Sequence, residues 1–384
     1  MSLNKRYLTQ KRQTPPQYHR TVDDMQIKII HRYISLIFAT LWAFQALTGC
    51  LIVFRWELDD AGVPGKHVTF DRHAMGARLD ALVSEPDTQV SSVWAATGRG
   101  DRFDIFYSRA GQDRTLRVDG HGKTLRDRNN ATLSDGNIYD RLSDLHMALM
   151  LGDAGRAFLG FSGLLLLSNL ALGLKLAWPR AGQWMKALRA PKGKTAMPLL
   201  YGWHRTLGLW LCVPAILTVT AGALLAFDDG LASLLKADIP QPQTPRTVFE
   251  DKVGRVIAPS QALNAALDTY PGATLSGFST PKDKAPWYRV RLRAAGEMPR
   301  IWGMTTVYID AGDGHVLNTY DARQTHGPAR MLLDTLYPLH TGQIGGVAGR
   351  IVQLLIGLWL TSMIGLGISL WWTRKRLMKQ PIKQ

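Results

Sequence analysis

Four of the ten histidines stand apart by what surrounds them. His31 and His204 are each followed by an arginine (Arg32, Arg205), by a glycine 18 residues on (Gly49, Gly222) and by a phenylalanine at 23 (Phe54, Phe227). His146 and His340 share a longer pattern: glycine at 6 (Gly152, Gly346), arginine at 10 (Arg156, Arg350) and glycine at 17 (Gly163, Gly357). A glycine at 27 (Gly173, Gly367) and a tryptophan at 32 (Trp178, Trp372) complete it. Two neutral imidazoles facing each other across a helix bundle can ligate a haem iron axially, so the expected pairs are His31/His204 and His146/His340. Gly49/Gly222 and Gly163/Gly357 would let a porphyrin approach the backbone. Arg32, Arg205, Arg156 and Arg350 could pair with its propionates. Each element has a second reading. Interfacial His-Arg pairs bind lipid headgroups, helix glycines serve as small packing residues, and arginines anchor helix ends. Zinc fits less well, because no depth gathers three or four nitrogen or sulfur ligands.

These residues need helices to carry them. Four apolar runs, Tyr33–Phe54, Ala157–Trp178, Leu207–Phe227 and Ile351–Trp372, are long enough to cross a bilayer at about 1.5 Å per residue. The net charge of +16 explains their orientation. Residues 1–30, 179–199 and 373–384 hold 16 Lys/Arg against 2 Asp/Glu, whereas residues 55–145 hold 13 against 15 and residues 228–343 hold 12 against 12. The basicity therefore lies in three short segments on one side, the cytoplasm by the positive-inside rule. Both termini are expected inside, with two outside domains. The charge pattern is not that of a nucleic-acid groove. The roughly 30 polar residues before the first run do not read as a cleavable signal. Cys50 and Cys212 fall within apolar runs, which leaves the outside domains without cysteine.

The matched spacings make the chain a tandem repeat of helix, outside domain, helix. In the second domain, Ser260–Tyr270 has helical spacing. The β-like runs Thr274–Ser279, Trp287–Leu292 and Thr305–Ile309 follow, the last turning through Asp310–Gly314 into His315-Val316-Leu317. In the first, Arg72–Val83 is the helical run and Val90–Trp94, Phe103–Tyr107 and Thr115–Val118 are the strands. Pro240–Pro245 reads as linker.

A strand reading Val307-Tyr308-Ile309-Asp310, then a Gly/Asp turn and a short apolar strand, resembles the PepSY module. Two such modules between paired helices resemble the PepSY-associated transmembrane family over most of the chain. The pattern Leu-His…Gly-x-x-Gly-Arg, at Leu145 to Arg156 and Leu339 to Arg350, is similar to inner-membrane siderophore iron reductases of the ferrioxamine-utilisation type. The first module departs from the pattern, with Arg117-Val118-Asp119 lacking the aromatic. The expected fold class is an integral membrane α+β protein: four transmembrane helices from the repeat, with two small periplasmic α/β domains. Its segments would be a cytoplasmic stretch (1–30), a first span (31–56), a first PepSY-like domain (57–141), a second span (142–178) and a cytoplasmic loop (179–199). A third span (200–227), a second PepSY-like domain (228–335), a fourth span (336–372) and a cytoplasmic tail (373–384) follow.

The resemblance implies a bacterial inner-membrane reductase holding two haems b, one near each membrane face. Its acceptor would be a ferric siderophore of hydroxamate type, reduced from Fe(III) to Fe(II) in the periplasm. The cytoplasmic pieces are too short for a dinucleotide domain, so a separate donor is expected, quinol or a cytoplasmic flavin reductase. Two other classes compete. A membrane-anchored PepSY binding protein that regulates a protease would leave the histidines unexplained. A transporter would need an acidic residue mid-membrane, and the apolar runs have none.

Overall fold

The computed structural model describes residues 22–130, 138–242, 256–282, 285–324 and 326–378. The first helix, α1 (Val22–Ile52), is followed by the short α2 (Arg55–Ala61) and by α3 (Arg72–Val83). Strands β1 (Thr88–Ala95), β2 (Arg102–Arg109), β3 (Gln112–Asp119) and β4 (Thr124–Asn129) come next. The chain returns through α4 (Ile138–Ala148) and α5 (Gly152–Ala177), and passes α6 (Trp184–Ala187) into α7 (Ala196–Leu225) and α8 (Asp228–Leu234). The second unit is α9 (Pro259–Thr269) with β5 (Thr274–Ser279), β6 (Trp287–Arg293), β7 (Thr305–Asp310) and β8 (Val316–Tyr320). It leads through α10 (Pro328–His340) into α11 (Gly346–Met378).

Helices α1, α5, α7 and α11 are long and apolar enough to cross a membrane, and each packs on two of the others. They form where the apolar runs are. The ends extend further than the runs, because polar residues at a helix mouth continue the helix outside lipid: α1 starts at Val22 and α11 continues to Met378. Inside the bundle several of the few polar side chains pair with one another, as lipid offers no partners. Trp42 Nε1 donates to Ser162 Oγ at 3.0 Å, and Asn169 Nδ2 donates to Ser35 Oγ at 2.8 Å.

The expectation of two separate outside domains is not met. The strands form one eight-stranded antiparallel sheet in the order β4-β3-β2-β1-β5-β6-β7-β8, joined where Val93 meets Phe278 across β1 and β5. Each four-stranded half alone would leave its first strand as an open edge, and pairing the two edges satisfies both rows of backbone groups. Helices α3 and α9 cover one face together. Gly76 makes room for Ser260, whose side chain a Cβ there would approach to 2.9 Å. Val93, Ile105, Val118, Val290 and Ile309 alternate inward onto that helical layer, with Leu79 and Leu263 fully buried in one shared core. The strand β4 was not expected. Part of the Pro240–Pro245 linker lies outside the described residues.

The opposite face of the sheet looks toward α2 and α4. Here Arg117, 3% exposed, donates to Asp104 at 2.7 Å and to Asp59 at 2.6 Å. Arg117 occupies the place that Tyr308 holds in the second half, since Asp104 pairs with Arg117 across β2 and β3 as Arg289 pairs with Tyr308 across β6 and β7. The missing aromatic of the first module is therefore a charge partner for α2. Burial raises the Asp59 carboxyl, but Arg117, Arg126 and Arg128 outweigh it and hold the group below its ordinary value. Its contribution to stability is present above the unfolded carboxylate range near pH ~4 and is lost as pH falls through the folded pKa. Arg117→Ala leaves buried carboxylates uncompensated and should cost about 3–5 kcal/mol. Thermal melts from pH 7 to pH 3 check this: wild type loses stability over the acid limb, and the variant should start lower with a shallower slope.

Two histidine pairs in the helical bundle

His31 lies on α1 and His204 on α7, and the bundle brings their rings to 6.4 Å between centroids, inclined at 62°. His146 and His340 are brought to 6.2 Å at 28°. The second pair differs from expectation in one respect. These residues do not head the membrane helices but end the short α4 and α10, which precede them. The chain reverses just after each, with Leu149, Met150 and Gly152 at positive φ in one copy and Gly342 and Gly346 in the other. Gly152 and Gly346 share φ of 58°, a conformation with little cost only for glycine. The second glycine of each Gly-x-x-Gly-Arg is needed for contact. A Cβ on Gly155 would lie 1.8 Å from the Ala148 carbonyl, and one on Gly349 would lie 2.2 Å from that of Gly342. This reversal tucks both histidines back into the bundle.

One rule positions all four rings. Each packs its Cε1 on a glycine of a neighbouring helix and turns its Nδ1 to the carbonyl four residues before that glycine. His340 sits on Gly222 and Thr218, where a Cβ would come to 2.5 Å and the Nδ1–O distance is 3.0 Å. His31 sits on Gly173 and Asn169, at 3.0 Å and 3.1 Å. His146 sits on Gly49 (3.1 Å), beside the Gln45 carbonyl, with the Thr48 hydroxyl accepting from its Nδ1 at 3.0 Å. His204 sits more loosely on Gly367 (3.7 Å), its Nδ1 toward Met363 without closing a hydrogen bond. The physical reason is local. A helix carbonyl already accepts from the amide four residues on, and a second donor reaches its free lone pair only where that residue lacks a side chain. A carbonyl can only accept, so in His31 and His340 Nδ1 donates and Nε2 of the neutral ring keeps the lone pair. Thr48 enforces the same tautomer on His146, because its own proton goes to the carbonyls of Phe44 and Gln45.

The pairs sit at two depths. Gly49 lies 18 residues along α1 from His31, a rise of roughly 27 Å. His146/His340 are on the sheet side of the bundle and His31/His204 on the side of the chain termini.

The other expected site residues are placed differently. Gly49 and Gly222 serve the sheet-side pair. Gly163 packs on Ala223 and Gly357 on Cys50 Sγ, so both are helix-packing positions away from the rings. Gly173 and Gly367, present in the spacing pattern but not taken as site residues, line the other pair. The arginines are largely committed. Arg156 pairs with Asp228 and the Leu225 carbonyl; Arg350 pairs with Glu57 and the Val53 carbonyl. Arg205 donates to the Ala177 carbonyl at 3.1 Å, and Arg32 lies over the Tyr33 ring.

A cleft of ≈ 350 Å³ opens between α2, α4 and the face of the sheet turned to them, walled by Trp56, Trp94, Trp302 and Phe106. Elsewhere, Asp310, Asp313 and His315 bring three ligand atoms within 4.8 Å of one another, but Asp310 Oδ1 is occupied by the amides of its own turn. His67 pairs with Asp101, and His326 stacks on Tyr320.

A family model for the PepSY-associated TM region matches residues 29–374, from just before His31 to shortly before the end of α11. The chain belongs to the PepSY-associated TM family. A search of curated proteins finds no match. Family membership and the four apolar helices make the chain a multi-pass membrane protein. In this PepSY-associated TM protein the matched region contains all four histidines and the whole sheet.

Proposed function

We propose that the two histidine pairs each hold a haem b, and that the protein passes electrons across the bacterial inner membrane to a ferric siderophore, releasing Fe(II). The observation that carries this reading is the ring separation. Two metal–imidazole bonds of roughly 2.0–2.1 Å, each followed by the ~1.1 Å from nitrogen to ring centre, separate the centroids by about 6.2–6.4 Å. The observed 6.2 and 6.4 Å match the span of one bridging metal atom. The Nδ1–H tautomer, which leaves Nε2 free to ligate, supports it further.

A haem held by these histidines would supply one-electron chemistry. The residues of the chain do the rest. The glycine-backed carbonyls fix the ring planes, the apolar helices exclude water, and the tryptophan-walled cleft offers the acceptor a place on the sheet side of the bundle. Gain of one electron lowers the charge of the substrate's ferric centre and weakens the hold of hard oxygen ligands such as hydroxamates, which frees the iron as Fe(II). Electrons would come from quinol or a flavin reductase on the terminal side. The basic segments support a cytoplasmic position for that side and a periplasmic one for the sheet. The matched spacings, and the matching order of helix, four strands and short histidine helix in each half, support the tandem repeat.

Detergent-purified protein should be red and contain about two haems per chain, with Soret and α bands that sharpen on dithionite. Adding a ferric trihydroxamate should reoxidise it. Folded protein that stays colourless after production with iron and haem precursor would overturn the proposal.

A further inference from the structure

The two halves of the sheet carry different charge on the face turned to the bundle. In the first half three buried or half-buried arginines are met by carboxylates: Arg117 by Asp104 and Asp59, Arg126 by Asp59, and Arg102 by Asp60. In the second half the cross-strand register puts Arg289 and Arg291 where the first half has Asp104 and Phe106. Together with Arg300 from the following loop they gather three guanidinium groups, and among the described residues none of the three forms an ion pair. The carboxylates whose fields reach them are already used. Asp334 is held by Arg330 at 2.7 Å and Tyr320 at 3.1 Å, and Glu297 accepts from three backbone amides and Thr305 Oγ1.

Arg291 lies 5.6 Å over the Trp94 ring, and its Nε is sealed from solvent without a hydrogen-bond partner. Burial, Arg289 and Arg300 together pull its guanidinium down to about 10. Half-buried cations gathered without counter-charge are costly until an anion joins them. Their position says which anion. Arg300 lies 5.4 Å over the Tyr337 ring, and Tyr337 precedes His340 by one turn of α10, about 5 Å of rise. The other arginines near Tyr337 are Arg55, which reaches Ser143 and Asp140, and Arg350, which reaches Glu57.

We propose that Arg291 and Arg300, backed by Arg289, form the cradle for the propionate carboxylates of the group clasped by His146 and His340. This rests on the haem reading above and replaces Arg156 and Arg350, which have carboxylates of their own. A guanidinium beside the site favours the more negative, reduced state, so its removal should lower that centre's midpoint.

Redox titration of the full-length protein in detergent, followed at the α band, tests this. Arg300→Gln should lower the reduction equilibrium of one centre about tenfold, or 59 mV for one electron, with Arg300→Lys restoring it. Arg291→Gln should move the same centre, and that centre should be the one missing in His340→Ala. Two haems with both midpoints unchanged in Arg300→Gln and Arg291→Gln would overturn the cradle and leave the haem reading standing. So would a shift confined to the centre that survives His340→Ala, or weakened binding of an anionic chelate with both midpoints fixed. Wild-type protein without haem would instead overturn the reading on which the cradle rests.

Discussion

His340→Ala should cut the haem content of the purified protein from about two per chain to about one, and lower the rate at which reduced protein reoxidises on a ferric trihydroxamate by at least tenfold. His340 has His146 as its partner at 6.2 Å and is oriented by the Thr218 carbonyl from one side and Gly222 from another. Removing it leaves His146 a single imidazole, which cannot hold a six-coordinate iron. The other pair lies roughly 27 Å away along α1, beyond the distance over which substitutions usually couple. Haem counted by the pyridine haemochrome assay, with the low-spin signals of each centre, checks the result. Loss of both centres in a folded protein would mean that the pairs are not independent sites.

Gly222→Val is expected to do nearly as much without touching a histidine. A Cβ at Gly222 would stand 2.5 Å from His340 Cε1, against a ring already held at its Nδ1, so the ring must leave its carbonyl. The sheet-side haem should be lost or turn high-spin. The same logic ranks the four glycines. Gly173 and Gly49, at 3.0 and 3.1 Å from their rings, should be less sensitive to alanine, and Gly367 at 3.7 Å the least. Gly163→Ala is the control, since its Cβ would meet Ala223 at 3.0 Å and no ring. Overpacking there should cost about 1–3 kcal/mol of stability with both haem signals kept. If Gly163→Ala removes a centre and Gly222→Val does not, the glycine rule is wrong.

The glycine rule also shows how much of the site could be read in advance. The spacings from His146 and His340 already contained Gly173 and Gly367, but nothing local says that these two face the other pair. His31 meets Gly173 only because α1 and α5 pack together, and a ring–glycine contact between residues 142 positions apart leaves no mark in either segment. The arginines show the reverse. Arg350 looks like a free cation beside a helix end until Glu57, 293 residues earlier, is seen to fold against it.

By itself the sequence determined what depends on periodicity and composition. Four apolar runs become four membrane helices because lipid offers a backbone no hydrogen bonds. Alternating strands turn one face to a helix, and the recurring histidine spacings put the imidazoles near the ends of those helices. Tertiary structure alone decided that the two modules share one sheet, that α4 and α10 fold the sheet-side histidines back into the bundle, and which cations remain without carboxylates. Those outcomes follow from edges, shapes and charges meeting across long chain separations, where the free energy belongs to the contact and to neither segment alone.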